Sequence, residues 1–344
     1  MSGLYDPAEG KNMKIIAGSY TSMGGPGLAL LRWQANGFEV LDTTDAVKEA
    51  IWAEKSKKAP VIFAAGAQED GIHTCVASFA VSDDGFTLLS RQESDGVESC
   101  HLCLDEEEKF LYTANYGDGS VSVFPVGEDG KIGSCMQQMQ RNTPLGPRAD
   151  RQERNHAHQV CFRPGTKELF LCDLGADQVV IFRVGEDGML TEKTAIACLP
   201  GSGPRHLSFD GPNAFYLVGE LDTSLSRYAY DGRAWQCVQH ISALPVGYEK
   251  PNTAAAIRQD GQHVYVSNRG HDSIAVFAKD GEGKLKPPYF IRTPGACPRD
   301  FQLLGAGFFL AHQQSGTVTC INENGVPVAQ VYLPGAVSLL LMDP

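Results

Sequence analysis

The stretch GPRHLSFDGPNAFYLVGELD, residues 203–222, places an Arg-His pair before one short apolar segment and a glutamate after the next. Arginine can position an anion or stabilise an oxyanion, while histidine and carboxylate can move protons. Burying such charges is costly unless they meet partners or a ligand. Arg205, His206 and Glu220 are therefore candidates for substrate binding or catalysis.

Related stretches along the chain carry similar residues. Arg269 follows the apolar run HVYVSN, and Arg299 lies in CPRDF. His156 and His158 lie in NHAHQV, and in an extended strand they would point the same way. This spacing is also used by some metal sites, but action on a substrate is favoured, with His158 preferred because it adjoins QVCF. Either histidine remains able to face a ligand.

Other polar residues stand where apolar runs end, which makes them candidates for substrate contacts. Tyr20, Asn115 and Asn268 belong to this group, together with Asp173 and His312. A buried Asn or Asp at such a corner can equally serve by hydrogen bonding to backbone amides. The sequence leaves both roles open for these residues.

The stretches that hold these candidates are copies of one unit, with two or three short apolar segments separated by turns such as EDG and DDG. Seven copies can be aligned at the residue ending the second segment: Gly18, Gly66, Asn115, Asp173, Glu220, Asn268 and His312. Units of roughly 40–60 residues that each form a small antiparallel sheet are typical of propeller blades. The sequence predicts an all-β, seven-bladed β-propeller in one domain over residues 1–344, with residues 1–13 as an N-terminal extension.

Two further segments complete the predicted fold. TTDAVKEAIWAEKSKK, residues 43–58, is the one stretch with a pattern that allows a helix or helical turn. The final AQVYLPGAVSLLLMDP is apolar and strand-like, and we expect it to help close the ring.

Composition restricts the partners and the compartment. A net charge of −12 argues against nonspecific binding to nucleic acid or to anionic membranes. The start of the chain lacks the pattern of a signal peptide, and no apolar run is long enough to span a membrane, so a cytoplasmic location is expected. The ten cysteines are then small buried hydrophobes, and CHLC, residues 100–103, is predicted to be structural. The oligomeric state is not determined by the sequence.

The motifs CHLCLDEEEKFLYTANYGDGSVSVF, HAHQVCF, GPRHLSF, GELD, YVSNRGHDSIAVF and CPRDF, in this order, resemble those of the seven-bladed propeller lactonases. That family includes propeller-type 6-phosphogluconolactonases and carboxy-cis,cis-muconate cyclases. The resemblance runs from about Lys14 to the C-terminus. It implies that the family's active-site histidine falls on His158, its glutamate on Glu220, and its arginines on Arg205, Arg269 and Arg299.

The resemblance implies hydrolysis of a small anionic sugar lactone, most simply a 6-phosphogluconolactone of the pentose phosphate pathway, without cofactor or metal. Glu220 or His158 would be the general base for an attacking water, because the chain has no GxSxG motif to supply a serine nucleophile. Arg205 and Arg269 would hold the anion or the oxyanion, and Arg299 would meet a phosphate. The further substrate contacts expected are His156, His206, Asn115, Tyr20 and Asn268.

Three alternatives compete with this hypothesis. Oxygen atoms of Glu220, Asn115, Asn268 and Asp173 would suit Ca²⁺ or Mg²⁺ in a metal-dependent lactonase. A cycloisomerase of the muconate kind would use the same residues for addition–elimination. A propeller without enzymatic activity would use the ring for binding or as a scaffold.

Overall fold

The computed structural model describes residues 13–34, 37–305 and 307–342. Within these ranges the chain forms 28 strands and a single 3₁₀ turn, Thr21–Met23. The strands make seven antiparallel sheets of four strands each, which confirms the predicted seven-bladed propeller. Residues 1–12, nearly all of the expected N-terminal extension, lie outside the described residues.

We number the blades in chain order. Each blade is a four-stranded antiparallel meander, and in blade 1 the innermost strand comes from the end of the chain. Blade 1 contains β28 (Ala336–Leu341), β1 (Met13–Ser19), β2 (Leu28–Gln34) and β3 (Gly37–Thr44). Blade 2 contains β4 (Lys48–Lys55), β5 (Val61–Ala67), β6 (His73–Val81) and β7 (Phe86–Val97). Blade 3 contains β8 (Ser99–Leu104), β9 (Phe110–Asn115), β10 (Ser120–Pro125) and β11 (Gln137–Gln140).

The remaining four blades follow the same order, from the innermost strand to the outermost. Blade 4 contains β12 (Ala157–Phe162), β13 (Glu168–Asp173), β14 (Gln178–Val184) and β15 (Leu190–Ala197). Blade 5 contains β16 (Pro204–Phe209), β17 (Ala214–Gly219), β18 (Ser224–Tyr230) and β19 (Trp235–Ser242). Blade 6 contains β20 (Thr253–Gln259), β21 (His263–Arg269), β22 (Ser273–Ala278) and β23 (Tyr289–Arg292). Blade 7 contains β24 (Pro298–Leu304), β25 (Gly307–His312), β26 (Thr317–Ile321) and β27 (Pro327–Tyr332).

The core lies between the faces of neighbouring blades, where the two middle strands are apolar on both sides. Between blades 1 and 7, for example, the indole of Trp33 meets the ring of Phe309 edge-on at 5.3 Å between centroids. Because each sheet buries both faces against its neighbours, the middle strands are nearly continuous runs of Val, Ile, Leu, Phe and Ala.

The ring is closed by the last strand of the chain. β28 pairs antiparallel with β1, with Ile15 opposite Leu341 and Ala17 opposite Leu339. Across the junction with blade 7, the Asp300 carboxylate accepts a hydrogen bond from the Leu339 backbone N–H at 2.9 Å. The expectation that the final apolar segment helps to close the ring is confirmed.

The expectation of a helix within residues 43–58 is wrong. β3 continues to Thr44, and Lys48–Lys55 forms β4, the innermost strand of blade 2. Ala50, Ile51 and Ala53 are buried there against neighbouring blades. Long-range pairing with β5 therefore overrides the local helical preference of this Ala-, Glu- and Lys-rich segment.

All seven innermost strands contain a β-bulge near the end where they begin. In blades 3, 4, 5 and 7 the extra residue without an opposite partner is Cys100, His158, Arg205 and Arg299, respectively. A bulge bends the strand and redirects a side chain. The repeated bulge thus brings one side chain from each of these four blades towards the same end of the ring.

Candidate active site

A cavity of about 710 Å³ opens at the end of the ring where the innermost strands begin. It is lined by several of the residues singled out by the sequence: Tyr20, His158, Glu220, Arg269 and Arg299. A smaller cavity lies directly beneath it and shares His158 and Arg299 with it. Arg205 and His206 line this lower cavity.

Glu220 is the centre of the site. It follows β17 directly, and it is 3% exposed. Its Oε2 accepts a hydrogen bond from Arg205 Nε at 2.9 Å and forms an ion pair with Arg269 Nη2 at 2.9 Å, and its Oε1 accepts a hydrogen bond from Arg151 Nη2 at 2.7 Å. Three guanidinium groups from different parts of the ring therefore share one carboxylate.

These contacts set the ionisation of the carboxylate. Burial alone would raise the pKa of Glu220, but Arg269 and Arg205 hold it well below its usual range. Burial and the neighbouring Arg269 lower the pKa of Arg205 to about 9, so this guanidinium also keeps its charge at neutral pH. The pair is thus an anion and a cation under physiological conditions.

His158 is a neutral imidazole beside this anion. Its Nε2 lies 3.9 Å from Glu220 Oε2. Burial and the positive charge of Arg205 lower the pKa of His158 well below 6.5. A neutral ring keeps a lone pair, so His158 can accept a proton from a molecule bound in the cavity.

The structure distinguishes the two histidines, of which the sequence favoured His158 but left open which one faces the ligand. His156 precedes β12, and the bulge at His158 breaks the alternation that would have aligned the two side chains. His156 stacks on Tyr116 at 4.2 Å between ring centroids, and its Nδ1–H donates to the Tyr116 carbonyl at 2.8 Å. His158 therefore faces the cavity, while His156 supports Tyr116 from outside it.

Arg299 is the guanidinium with the most unused hydrogen-bonding capacity. Its Nη1 donates to Gln313 Oε1 at 3.1 Å, the one hydrogen bond that its side chain makes among the described residues. Its guanidinium lies over the ring of Tyr20 at 5.5 Å. The remaining N–H groups are available to a ligand in the cavity.

Two residues of the site were missed by the sequence reasoning. Arg151 comes from the long connection between β11 and β12 and also donates to Tyr116 Oη at 3.2 Å. The wider spacing of Asn115 and Asp173, 58 residues, was the signal that this connection is longer than the others. Cys100, predicted to be structural, lines the cavity, with its Sγ 3.9 Å from His158 Nδ1.

His206 lies one layer deeper, in the central channel. Its ring meets His158 edge-on at 5.1 Å and His101 at 5.4 Å, and His101 in turn stacks on Trp52 at 4.2 Å. Burial lowers the pKa of His206 well below 6.5 and that of His101 to about 3. The channel beneath the site is therefore packed with neutral imidazoles.

Asn115 and Asn268 lie away from the cavity, inside their blades. Both are fully buried, and their amides are engaged: Asn115 with Thr74, Ser120 and Ser122, and Asn268 with the carbonyl of Ala243. We therefore leave both out of the proposed site. Asp173 is paired with Arg141 at 2.7 Å and is likewise remote from Glu220 in its contacts.

Over residues 13–34, 37–305 and 307–342, no group of three or more His, Cys, Asp or Glu side chains is arranged to hold a metal ion. The two carboxylates of the metal-dependent alternative, Asp173 and Glu220, are paired with different arginines, Arg141 and Arg205. In the same part of the chain, no helix has the length and apolarity to cross a bilayer.

Comparison with known proteins agrees with the seven-bladed fold. Residues 14–326 match the family described as "Lactonase, 7-bladed beta-propeller". A 6-phosphogluconolactonase of Bacillus subtilis is 34% identical over 274 residues, which cover 77% of this chain and 78% of that protein. This chain belongs to the seven-bladed β-propeller lactonase family. Among solved structures, a Lactobacillus plantarum protein superposes with a TM-score of 0.87 at 26% identity, covering 96% of this chain and 100% of that chain.

A periplasmic gluconolactonase of Pseudomonas aeruginosa superposes with a TM-score of 0.88. It is 22% identical and covers 96% of this chain and 99% of its own, which extends the likeness in fold. Family membership thus agrees with the seven blades, and the described geometry shows which side chains of this member share its cavity.

Proposed function

We propose that the protein hydrolyses the lactone of a sugar acid, with a 6-phosphogluconolactone as its most suitable substrate. The observation that supports this proposal is the arrangement of His158 and Glu220. His158 is neutral and lies beside the anionic carboxylate of Glu220, which is bound by three arginines. The 34% identical 6-phosphogluconolactonase of Bacillus subtilis supports the same reaction class.

In the proposed reaction, His158 is the general base. Glu220 is a weak base because the guanidinium groups of Arg269, Arg205 and Arg151 pair with its oxygens and hold its pKa well below the usual range. Water attacks the lactone carbonyl carbon and gives its proton to His158. The oxyanion that forms accepts hydrogen bonds from the unused N–H groups of Arg299. The ring C–O bond then breaks, and the imidazolium returns the proton to the ring oxygen.

Glu220 serves this reaction by its charge. The imidazolium formed during the attack lies 3.9 Å from Glu220 Oε2, so the carboxylate stabilises it in a buried site. In the deep part of the cavity the guanidinium groups of Arg205, Arg269 and Arg299 outnumber the carboxylate of Glu220 and leave excess positive charge, while the other acidic lining residues are Glu49, Asp70 and Glu98. An anionic substituent on the lactone is therefore favoured there.

The test is hydrolysis of 6-phosphoglucono-δ-lactone beside glucono-δ-lactone, with spontaneous hydrolysis subtracted and each assay repeated with EDTA. We expect turnover of both, a lower KM for the phosphorylated lactone, and no effect of EDTA. His158→Gln should lower kcat by about 10²–10⁴-fold while the protein remains folded. Absence of turnover above background for both lactones would refute the proposal, and loss of activity in EDTA would return the reaction to the metal-dependent alternative.

A further inference from the structure

The entrance of the innermost strand requires a left-handed backbone conformation in four blades. The residue just before the strand has a positive φ in each: Glu98 (54°), Gly203 (62°), Cys297 (61°) and Gly335 (62°). Glycine adopts this conformation without a steric penalty, whereas a residue with a Cβ is strained by it. Blades 5 and 1 use glycine here, and blade 3 uses a glutamate.

The contacts that Glu98 makes within residues 13–34, 37–305 and 307–342 do not offset this strain. Its backbone is held by hydrogen bonds to the carbonyl of Ile72 and from the amide of Tyr116, which any residue would make. Its side chain is exposed where it borders the cavity, and among the described residues its carboxylate makes neither a hydrogen bond nor an ion pair, so it is free to meet a ligand. Glu49, another cavity residue with a positive φ, differs because its carboxylate binds Thr21 and Ser22.

Ser99, the next residue in the chain, also has unused hydrogen-bonding capacity. Ser99 is 5% exposed and lines the same cavity, and among the described residues its Oγ has no hydrogen-bond partner. A buried hydroxyl without a partner destabilises a folded protein. Two neighbouring residues of blade 3 are thus both unfavourable for the free protein, and both border the space that a ligand would fill.

The position of Glu98 and Ser99 in the ring indicates which part of a bound ligand they contact. The guanidinium groups of Arg205, Arg269 and Arg299 come from blades 5, 6 and 7, on the other side of the ring from blade 3. A ligand whose anionic or carbonyl group lies among the arginines turns its opposite edge towards Glu98 and Ser99. A carboxylate accepts hydrogen bonds strongly from hydroxyl groups, and a serine hydroxyl can donate or accept.

We propose that Glu98 and Ser99 form the subsite that binds the hydroxyl groups of the substrate, and so select polyhydroxylated lactones over plain ones. This inference rests on the proposed lactonase function. The proposal predicts two effects together that a merely structural role would not produce. Removing either side chain should raise the stability of the free protein, and it should also lower the affinity of the protein for a hydroxylated ligand.

The variants are Glu98→Gly, Glu98→Asn and Ser99→Ala, with Cys297→Gly as the matched control at the same position of blade 7, where the side chain does not line the cavity. Asparagine tolerates the left-handed region but carries no charge. Glu98→Gly and Cys297→Gly should both raise Tm, by about 1–3 °C, as strain is relieved.

Glu98→Gly and Glu98→Asn should raise KM for glucono-δ-lactone about ten-fold with kcat little changed. KM for δ-valerolactone, which has no hydroxyl groups, should change less than two-fold.

The outcomes distinguish this inference from the lactonase proposal. If the wild type hydrolyses lactones and Glu98→Gly leaves KM for glucono-δ-lactone unchanged, or raises KM for both lactones equally, the hydroxyl subsite is wrong. If the wild type hydrolyses neither lactone, the lactonase proposal fails, and calorimetric binding of gluconate decides the subsite. Weaker gluconate binding in Glu98→Gly would then uphold it, and equal or absent binding in both proteins would overturn it.

Discussion

Arg151 Nη2 lies 2.7 Å from Glu220 Oε1, although Arg151 lies in the connection between blades 3 and 4 and Glu220 lies in blade 5, 69 positions further along the chain. Arg151 is the one arginine on Glu220 with substantial exposure, 35% of its side chain against 3% for Arg205 and 12% for Arg269. The connection between β11 and β12 therefore completes, from the solvent side, an ion cluster whose other members are set by the blades.

Replacing Arg151 should weaken catalysis without unfolding the protein. Arg151→Met removes a hydrogen bond to a charged group, and such bonds contribute about 1.5–3 kcal/mol. We expect kcat/KM for a sugar lactone to fall about ten-fold or more. Arg154→Met is the matched control, because Arg154 lies in the same connection with 59% of its side chain exposed. A similar loss in both variants would point to the connection as a whole rather than to the contact with Glu220.

Glu220→Gln should lower both stability and turnover. The change leaves Arg205 and Arg269 as buried charges without a counter-ion, which typically costs about 3–5 kcal/mol. Turnover should fall about 10²–10⁴-fold, because the imidazolium of His158 loses its counter-ion. Urea unfolding and initial rates measure the two effects separately.

A double variant resolves the structural part of that effect from the catalytic part. Glu220→Gln with Arg205→Met removes one of the unpaired cations, so we expect part of the stability to return. Turnover should stay as low as in Glu220→Gln alone. Recovery of turnover together with stability would mean that Glu220 acts only through folding, contrary to its proposed role.

The activity should be insensitive to pH through the region where histidines usually titrate. His158 must be neutral to act as a base, and its pKa lies well below 6.5 because of burial and Arg205. We therefore expect kcat/KM, after subtraction of spontaneous hydrolysis, to be constant from pH 8 to pH 6. A decline centred near pH 6.5 would indicate an ordinary histidine pKa and would contradict the proposed base.

Stability, in contrast, should fall as the pH is lowered through 6.5. In the folded protein burial holds the pKa values of His101, His158 and His206 below the value of an unfolded chain. Below pH 6.5 the unfolded state therefore binds more protons than the folded state, so the stability is complete above this pH and is lost as the pH falls. Each histidine contributes a slope of about 1.4 kcal/mol per pH unit.

The matched measurement is urea unfolding between pH 8 and pH 5 for the wild type and for His206→Gln. His206 lies among His158, His101 and the guanidinium groups of Arg205 and Arg258, all of which disfavour its protonation. Its removal should reduce the slope of stability against pH by about one proton. An unchanged slope would show that His206 is already protonated in the folded protein or that the folded and unfolded states titrate alike.

The sequence predicted the architecture because the information for it is repeated seven times. Each blade has its own pattern of alternating apolar and polar residues and its own turn residues. A wrong assignment in one copy of the repeat is therefore corrected by comparison with the other copies. Residues 43–58 show where this fails: the segment has local helical character, and its strand is specified by partners far along the chain. The alignment was also one residue out in blades 1, 2 and 5. There Ser19, Ala67 and Gly219, and not Gly18, Gly66 and Glu220, occupy the position that Asn115 and Asp173 hold in their blades.

The candidate site was only partly accessible from the sequence. The strand-end residues His158, Arg205, Glu220, Arg269 and Arg299 could be named from repeat position and resemblance. The bulges could not be predicted, because an extra residue in one strand is visible only against its pairing partner. This is why the sequence favoured His158 over His156 but left open which one faces the ligand. Arg151 and Glu98 lie outside the regular strands, where no periodicity marks them, and their roles follow from three-dimensional contacts alone.

Ring closure by β28 has a consequence for the newly made chain. β1 leaves the ribosome first but obtains its inner neighbour only when residues 336–341 have been synthesised. Until then blade 1 exposes a free strand edge on the axis side, and the seam with blade 7 lacks the hydrogen bond from Leu339 to Asp300. The ring of the nascent protein therefore stays open until the last strand has been made. We expect chaperones to bind at this free strand edge, and mispairing and aggregation to begin there.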